Sequence, residues 1–349
     1  MDSLSQIVLG GAVAAAIAPA AHRRAALLAG AALGTLPALD GLVIARLTSD
    51  PVQWMTLHRG ASHSLFVLPL VAWFIWWLFR RRGGRVAQAP RRWFWAMLAV
   101  LVTHPLLDAF TVYGTQLFWP LPVSPTWWST VFIIDPLYTV WLLLACAVAW
   151  FARERLLAQR VLVAGLIVSS AYLGWSVLAK GMVDRAATAT LASMGLQQAP
   201  RFSVATPFNT LLYRVVVLTP EGDYLVGDRS VLADRGPMRF TRHATDQTAL
   251  QSAAHLPAVQ RLMWFNGGFM RAQIRRQAQG RAQADVLVLS DLRMGSEPDY
   301  SFNFAVARRQ GGAWQAIAPE RVPGLVLTRD AVAAALRQQW QRIWYMPGA

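Results

Sequence analysis

Apolar residues fill the first half of the chain in six long runs, at 4–21, 25–47, 64–79, 93–110, 131–151 and 161–179. Short arginine-bearing breaks separate them. A bilayer core takes about 20 consecutive apolar residues in helical form, so each run predicts a membrane-crossing helix. Pro37, Pro69, Pro105 and Pro136 interrupt or open several runs. At membrane depth such breaks need protein or a wet cavity to satisfy the freed backbone groups. After Lys180 the period shortens. Residues 213–218 and 224–228 flank the turn Pro220-Glu221-Gly222-Asp223, a hairpin signal. Further strands are predicted at 284–289 and 302–307, and helices at 250–264 and 330–344. Asn266-Gly267-Gly268 reads as a turn. The expected architecture is an α-helical polytopic membrane bundle of about six spans over 1–180. A soluble α+β domain is expected over 181–349.

Composition supports the membrane assignment and narrows the rest. Of 349 residues, 55% are apolar and 15% charged, and sixteen are Trp. An average soluble domain carries about 25% charged residues. Disorder and collagen-like repeats are excluded, and a disulfide scaffold is excluded because Cys146 stands alone. The first run has no basic segment before it; Arg23 and Arg24 follow instead, so it reads as a retained helix and not a cleaved leader.

The net charge of +15 divides into 14 Lys+Arg against 6 Asp+Glu before residue 181, and 19 against 12 after it. With six spans, eleven arginines fall on one set of loops: Arg23, Arg24, Arg80, Arg81, Arg82, Arg85, Arg91, Arg92, Arg153, Arg155 and Arg160. Arg46, Arg59 and Lys180 fall on the other. The positive-inside rule then puts the N-terminus and the C-terminal domain outside the cytoplasm. The charge marks topology, and no nucleic-acid partner is expected. A basic stretch with Arg271, Arg275, Arg276 and Arg281 reads as a solvated face, or a surface attractive to anionic lipid.

Ionisable residues inside a membrane are costly and are functional candidates by default. Asp40, Asp108 and Asp135 lie in or at the ends of apolar runs, and His58, His63 and His104 share that region. The predicted topology brings all six to the outer face. His104 and Asp108 are four residues apart, which puts imidazole and carboxylate on one helix face. His58 and His63 bracket Gly60 beside Arg59, Ser62 and Ser64. Mixed His/Asp ligation favours zinc, manganese or iron over calcium. The candidate ligands of a divalent metal, zinc foremost, are Asp40, His58, His63, His104, Asp108 and Asp135. A metal held there activates water for hydrolysis. Arg59 can clamp a phosphate oxygen, and Arg59, His58 and Asp108 are the candidate catalytic residues.

Plainer readings stand beside these. His104 with Asp108 also fits a polar clamp between helices, and Asp135 before Pro136 fits a helix N-cap. Tyr113, Thr115 and Gln116 fit either contacts at the site or loop anchors. Two other functions stand as alternatives: a non-catalytic membrane assembly or stress protein whose C-terminal domain binds a partner, and an ion- or proton-coupled transporter that uses the same ionisable residues. The almost wholly apolar inner halves of the runs weigh against the second.

The strings His58-Arg59-Gly60-Ala61-Ser62-His63-Ser64, Thr103-His104-Pro105-Leu106-Leu107-Asp108 and Tyr113-Gly114-Thr115-Gln116 with Trp119-Pro120 carry a family resemblance. So do Ile134-Asp135-Pro136-Leu137-Tyr138-Thr139 and the segment from Gly34 to Asp40. In this order they resemble the inner-membrane metal-dependent hydrolases, also described as LexA-regulated membrane hydrolases. The resemblance covers most of 1–180. It implies a bacterial inner-membrane location. Through a distant similarity to zinc-dependent phospholipase C and P1-type nucleases, it also implies hydrolysis of a phosphoester. A site at the membrane boundary suits a membrane lipid or lipid-linked substrate. Where the family often carries two acids, this chain has Ala38 and then Asp40, one potential ligand fewer. Asp291-Leu292-Arg293-Met294-Gly295 resembles longer members of the family.

Overall fold

The computed structural model describes residues 1–279, 282–324 and 329–345. The chain forms two compact units, one of Met1–Ile44, His58–Val177 and Pro207–Asn209, the other of Ala45–Leu57, Leu178–Thr206 and Thr210–Ala349.

The helices are α1 (Ser3–Ile17), α2 (Arg23–Thr35), α3 (Asp40–Leu47), α4 (Pro51–Leu57), α5 (Val67–Arg81), α6 (Gly84–Gln88), α7 (Pro90–Ala109), α8 (Pro136–Ala152) and α9 (Leu156–Ser193). Asp2 caps α1 by accepting from the Ser5 amide at 3.0 Å. Glycines let α1 and α2 touch backbone to backbone. A Cβ on Gly10 would stand 2.3 Å from the Gly30 carbonyl oxygen, and one on Gly34 2.5 Å from that of Gln6. Small residues permit this approach in membrane bundles, where apolar burial gives no preference between protein and lipid.

Val8, Val13, Met97, Val100, Leu142 and Leu162 form the core of this unit. The start of α1 meets the end of α7, since Gln6 Nε2 donates to the His104 carbonyl at 3.2 Å. The two helices therefore run antiparallel. Met1, Gly34, His104 and Asp108 gather at one end of the unit, and Arg23, Arg91, Arg92 and Glu154 at the other.

The expectation of six spans is corrected. Among the described residues, two helices are long and apolar enough to cross a membrane, Ala20–Leu47 and Leu156–Ser193. They become three if the bent pair Pro51–His63 and Val67–Arg81 counts as one. The first of these passes through a 3-10 turn at Leu36–Leu39 containing Pro37. Length explains most of the difference. α1 has 15 residues and α8 has 17, roughly 22–26 Å at 1.5 Å per residue, short of a 30 Å core. The run at 131–151 begins outside any helix, because Asp135 and Pro136 start α8. α7 is long enough, but it carries Arg91, Arg92, His104 and Asp108.

The second unit is rich in sheet. Its strands are β1 (Arg201–Ala205), β2 (Leu212–Leu218), β3 (Tyr224–Ser230), β4 (Thr241–His243), β5 (Met270–Gln279), β6 (Ala282–Asp291), β7 (Gly295–Ser296), β8 (Asp299–Tyr300), β9 (Asn303–Gln310) and β10 (Ala313–Arg321). Two antiparallel sheets have the orders β1-β2-β3-β4 and β10-β9-β6-β5, with a small β7-β8 ribbon. The expected hairpin at Pro220–Asp223 forms, and it closes with Leu218 opposite Tyr224. The helix expected over 250–264 is instead two, α10 (Gln247–Ser252) and α11 (Pro257–Asn266), because Pro257 starts a new helix. Gly267 ends α11 in the left-handed region at φ 66°. The last helix is α12 (Arg329–Trp344).

Asp291 and Arg293 form a buried two-pronged ion pair, with N···O distances of 3.0 and 2.7 Å. Arg214 donates to the carbonyls of Leu292, Arg293 and Gly295. The Asp291–Gly295 string thus has a packing role in this unit. Arg271, expected on a solvated face, is buried and paired to Glu297 at 3.0 Å. Arg275 and Arg276 are exposed, and Arg281 lies outside the described residues.

Candidate metal centre

α7 sets the geometry. His104 and Asp108 lie one turn apart on its buried face, on either side of Pro105. The 3-10 turn Ala61–His63 delivers His63 to the same point. His63 Nε2 is 3.1 Å from His104 Nε2 and 3.2 Å from Asp108 Oδ2. His104 Nε2 is 3.5 Å from the same carboxylate oxygen. These three ligand atoms form a group that can hold a metal ion. A tetrahedral ion with bonds of about 2.0–2.2 Å spaces its ligands by roughly 3.3–3.5 Å, close to this triangle. All three residues are buried.

The outer hydrogen bonds fix which ring nitrogens carry protons. His104 Nδ1 stands 2.6 Å from the Gly34 carbonyl oxygen. A carbonyl only accepts, so Nδ1 holds the proton and Nε2 presents a lone pair. Ser62 Oγ gives its one proton to Asp40 Oδ2 at 2.5 Å, and it lies 2.9 Å from His63 Nδ1. Ser62 must therefore accept from His63 Nδ1, which leaves the His63 Nε2 lone pair facing inward as well. Two ring nitrogens and a carboxylate oxygen aimed at one point are served by a cation between them, a proton on one Nε2 or a metal ion. The donor set fits a divalent metal.

The other candidates surround this triangle. Asp40 is a brace behind it: it accepts from His58 Nδ1 at 2.7 Å, the Arg59 amide at 3.0 Å and Ser62. Its Oδ2 lies 3.8 Å from His63 Nδ1, on the side away from the triangle. His58 packs edge-on to Tyr113, with ring centroids 5.5 Å apart. Arg59 is buried, with Nε 3.3 Å from Asp108 Oδ2, Nη1 on Thr111 Oγ1 at 3.2 Å, and its guanidinium 4.8 Å above the Tyr113 ring. Its backbone has φ 62°, a conformation costly for a side chain of this size and often stored at functional sites. Thr115 and Gln116 anchor loops through their backbone, Thr115 to Thr126 and Gln116 to the Arg59 carbonyl.

Asp135 does not join the group. It caps α8, accepting from the Leu137 and Tyr138 amides at 3.0 and 3.3 Å and from the Tyr172 hydroxyl at 2.9 Å. Three participants gave no sequence signal of a role: the Gly34 carbonyl, Gln6, whose Nε2 donates to Asp108 Oδ1 at 3.1 Å, and the Met1 α-amino group, which pairs with the same oxygen.

The model of the YdjM inner membrane protein family matches residues 1–183. The chain belongs to that family. No curated protein and no solved structure matches the chain. Membership in an inner-membrane family agrees with the two long apolar helices. The matched segment contains every residue of the metal group and its braces, whereas the two sheets lie beyond it.

Proposed function

We propose that this protein is a metal-dependent hydrolase of the inner membrane that cleaves a phosphoester of a lipid or lipid-linked substrate. The observation that carries the reading is the triangle of His63 Nε2, His104 Nε2 and Asp108 Oδ2, with both histidine protons turned outward. Two imidazoles and one carboxylate suit zinc, and a three-ligand site leaves a coordination position for substrate or water. When bound, the metal supplies a Lewis acid and an activated water.

The chain's own groups divide the remaining work. Gly34 and Ser62 hold the two rings in their tautomers. Arg59, fixed by Asp108, Thr111 and the Tyr113 ring, keeps positive charge beside the place where phosphoryl charge develops. His58, oriented by Asp40 and partly exposed, carries the proton to the leaving group.

The test is turnover of a phospholipid in mixed micelles by the purified, zinc-loaded full chain. The reading expects headgroup release that is lost in His63→Ala. It expects loss of about 100-fold in Arg59→Gln with metal content unchanged, the scale of removing one preorganised charge donor. Stoichiometric zinc with no turnover of any phosphoester would refute it.

A further inference from the structure

At the end of the first unit remote from the metal centre lies a cleft of about 740 Å3. It is bounded by the end of α1 (Ile17), the starts of α2 (Arg23), α7 (Arg91, Arg92, Trp95) and α9 (Leu156), and the α8–α9 link (Glu154). Thirteen residues of α7 separate Arg91 from His104, roughly 20 Å of helix. The cleft is thus a different place from the metal triangle. We propose that it binds the headgroup of an anionic phospholipid.

Arg23 is the central observation. It is 3% exposed, yet every acceptor it meets is neutral: the carbonyls of Arg153 and Arg155 and the Gln159 side-chain oxygen at 2.9 Å. Its Nε has no hydrogen-bond partner. Among the described residues, no carboxylate comes within ion-pair distance of Arg23, Arg91 or Arg92. Glu154 acts on Arg23 only through space, beyond ion-pair distance, so the guanidinium keeps part of its burial cost, which a phosphate seated in the cleft offsets. Arg91 and Arg92 are exposed on the rim, free to close on the same phosphate.

The walls indicate that the phosphate belongs to a lipid. Trp95 and Leu156 line the cleft while 58% and 63% exposed, an apolar surface suited to an acyl chain and not to a free ion. Tryptophan beside arginine is the composition of a membrane interface. Basic pockets between helices on the arginine-rich side are the general form of anionic headgroup sites. Glu154 also lines the cleft, and it offers an acceptor to the hydroxyls of a glycerol headgroup.

The test is thermal unfolding of the delipidated full chain in neutral detergent, titrated with phosphatidylglycerol, phosphatidylcholine or inorganic phosphate. Phosphatidylglycerol should raise the midpoint saturably, and the other two should not. The Arg91→Gln/Arg92→Gln double variant alters two exposed side chains and should fold. It should weaken the response at least tenfold, whereas Arg80→Gln/Arg81→Gln should respond as wild type. Equal responses to phosphatidylcholine would overturn the proposal. So would an equal response to inorganic phosphate, an unaffected Arg91/Arg92 variant, or an equal loss in the Arg80/Arg81 control.

Discussion

His63 and His104 are fit to be ligands by virtue of what stands behind them. Each gives its Nδ1 proton to an oxygen outside the triangle, Ser62 Oγ for one and the Gly34 carbonyl for the other. Asp40 completes the relay for His63 by taking the Ser62 proton. Removing such a brace typically lowers metal affinity 10–100-fold. Asp40→Asn should therefore weaken zinc by about that factor in chelator competition while the chain still folds; unchanged affinity would remove Asp40 from the relay. The sequence carried the i, i+4 pair, His63 and the nearby Arg59, because residue type and spacing suffice to mark them. It could not separate a ligand from a brace. Asp40 and Asp135 have the same side chain at similar depth in the pattern, and only distances show one behind His63 and the other capping α8. A backbone oxygen such as that of Gly34 has no sequence signature at all. In the second unit, burial pushes the Tyr300 hydroxyl up to about 12, against about 10 in an unfolded chain. The folded state thus holds this proton more tightly than the unfolded state. Its contribution is whole below pH of about 10 and disappears as pH rises toward about 12. Urea midpoints measured by sheet circular dichroism should fall across that window, and less steeply in Tyr300→Phe.

Gly34 joins the residue to the element. It brings α2 against α1 at Gln6 and presents its carbonyl to His104, so one position serves both packing and ligand orientation. Gly34→Leu should cost about 1–3 kcal/mol by overpacking and should also weaken metal binding. Loss of stability with affinity unchanged would uncouple the two roles. Hydropathy located the apolar stretches well but not the helices within them. The run at 131–151 includes five residues before α8 begins at Pro136, because apolar loop residues read like apolar helix. α9 continues to Ser193, well past the apolar run, since alanine-rich polar sequence keeps helical propensity after hydropathy falls. Turn chemistry fared better at Pro220-Glu221-Gly222-Asp223, which set the β2–β3 hairpin, whereas the break at Pro257 was missed when periodicity alone joined two helices into one.

At the scale of the molecule, the chain pairs a helical membrane unit with a sheet-rich one, and the family match ends at residue 183. The residues that could hold a metal all lie in the first unit. Its two ends differ in character, with carboxylate and imidazole at one and, at the other, three arginines against Glu154. That separation was legible in the arginine count of the loops. The convergence of His63 with His104, 41 residues apart, depended on the fold. The account rests on an ion bridging these side chains, so the decisive measurement is the metal content of the purified full chain. Wild type isolated without chelator should hold a divalent metal in stoichiometric amount, and His104→Ala and Asp108→Ala should lose it. Wild type without metal under gentle isolation, or variants that retain it in full, would contradict the account.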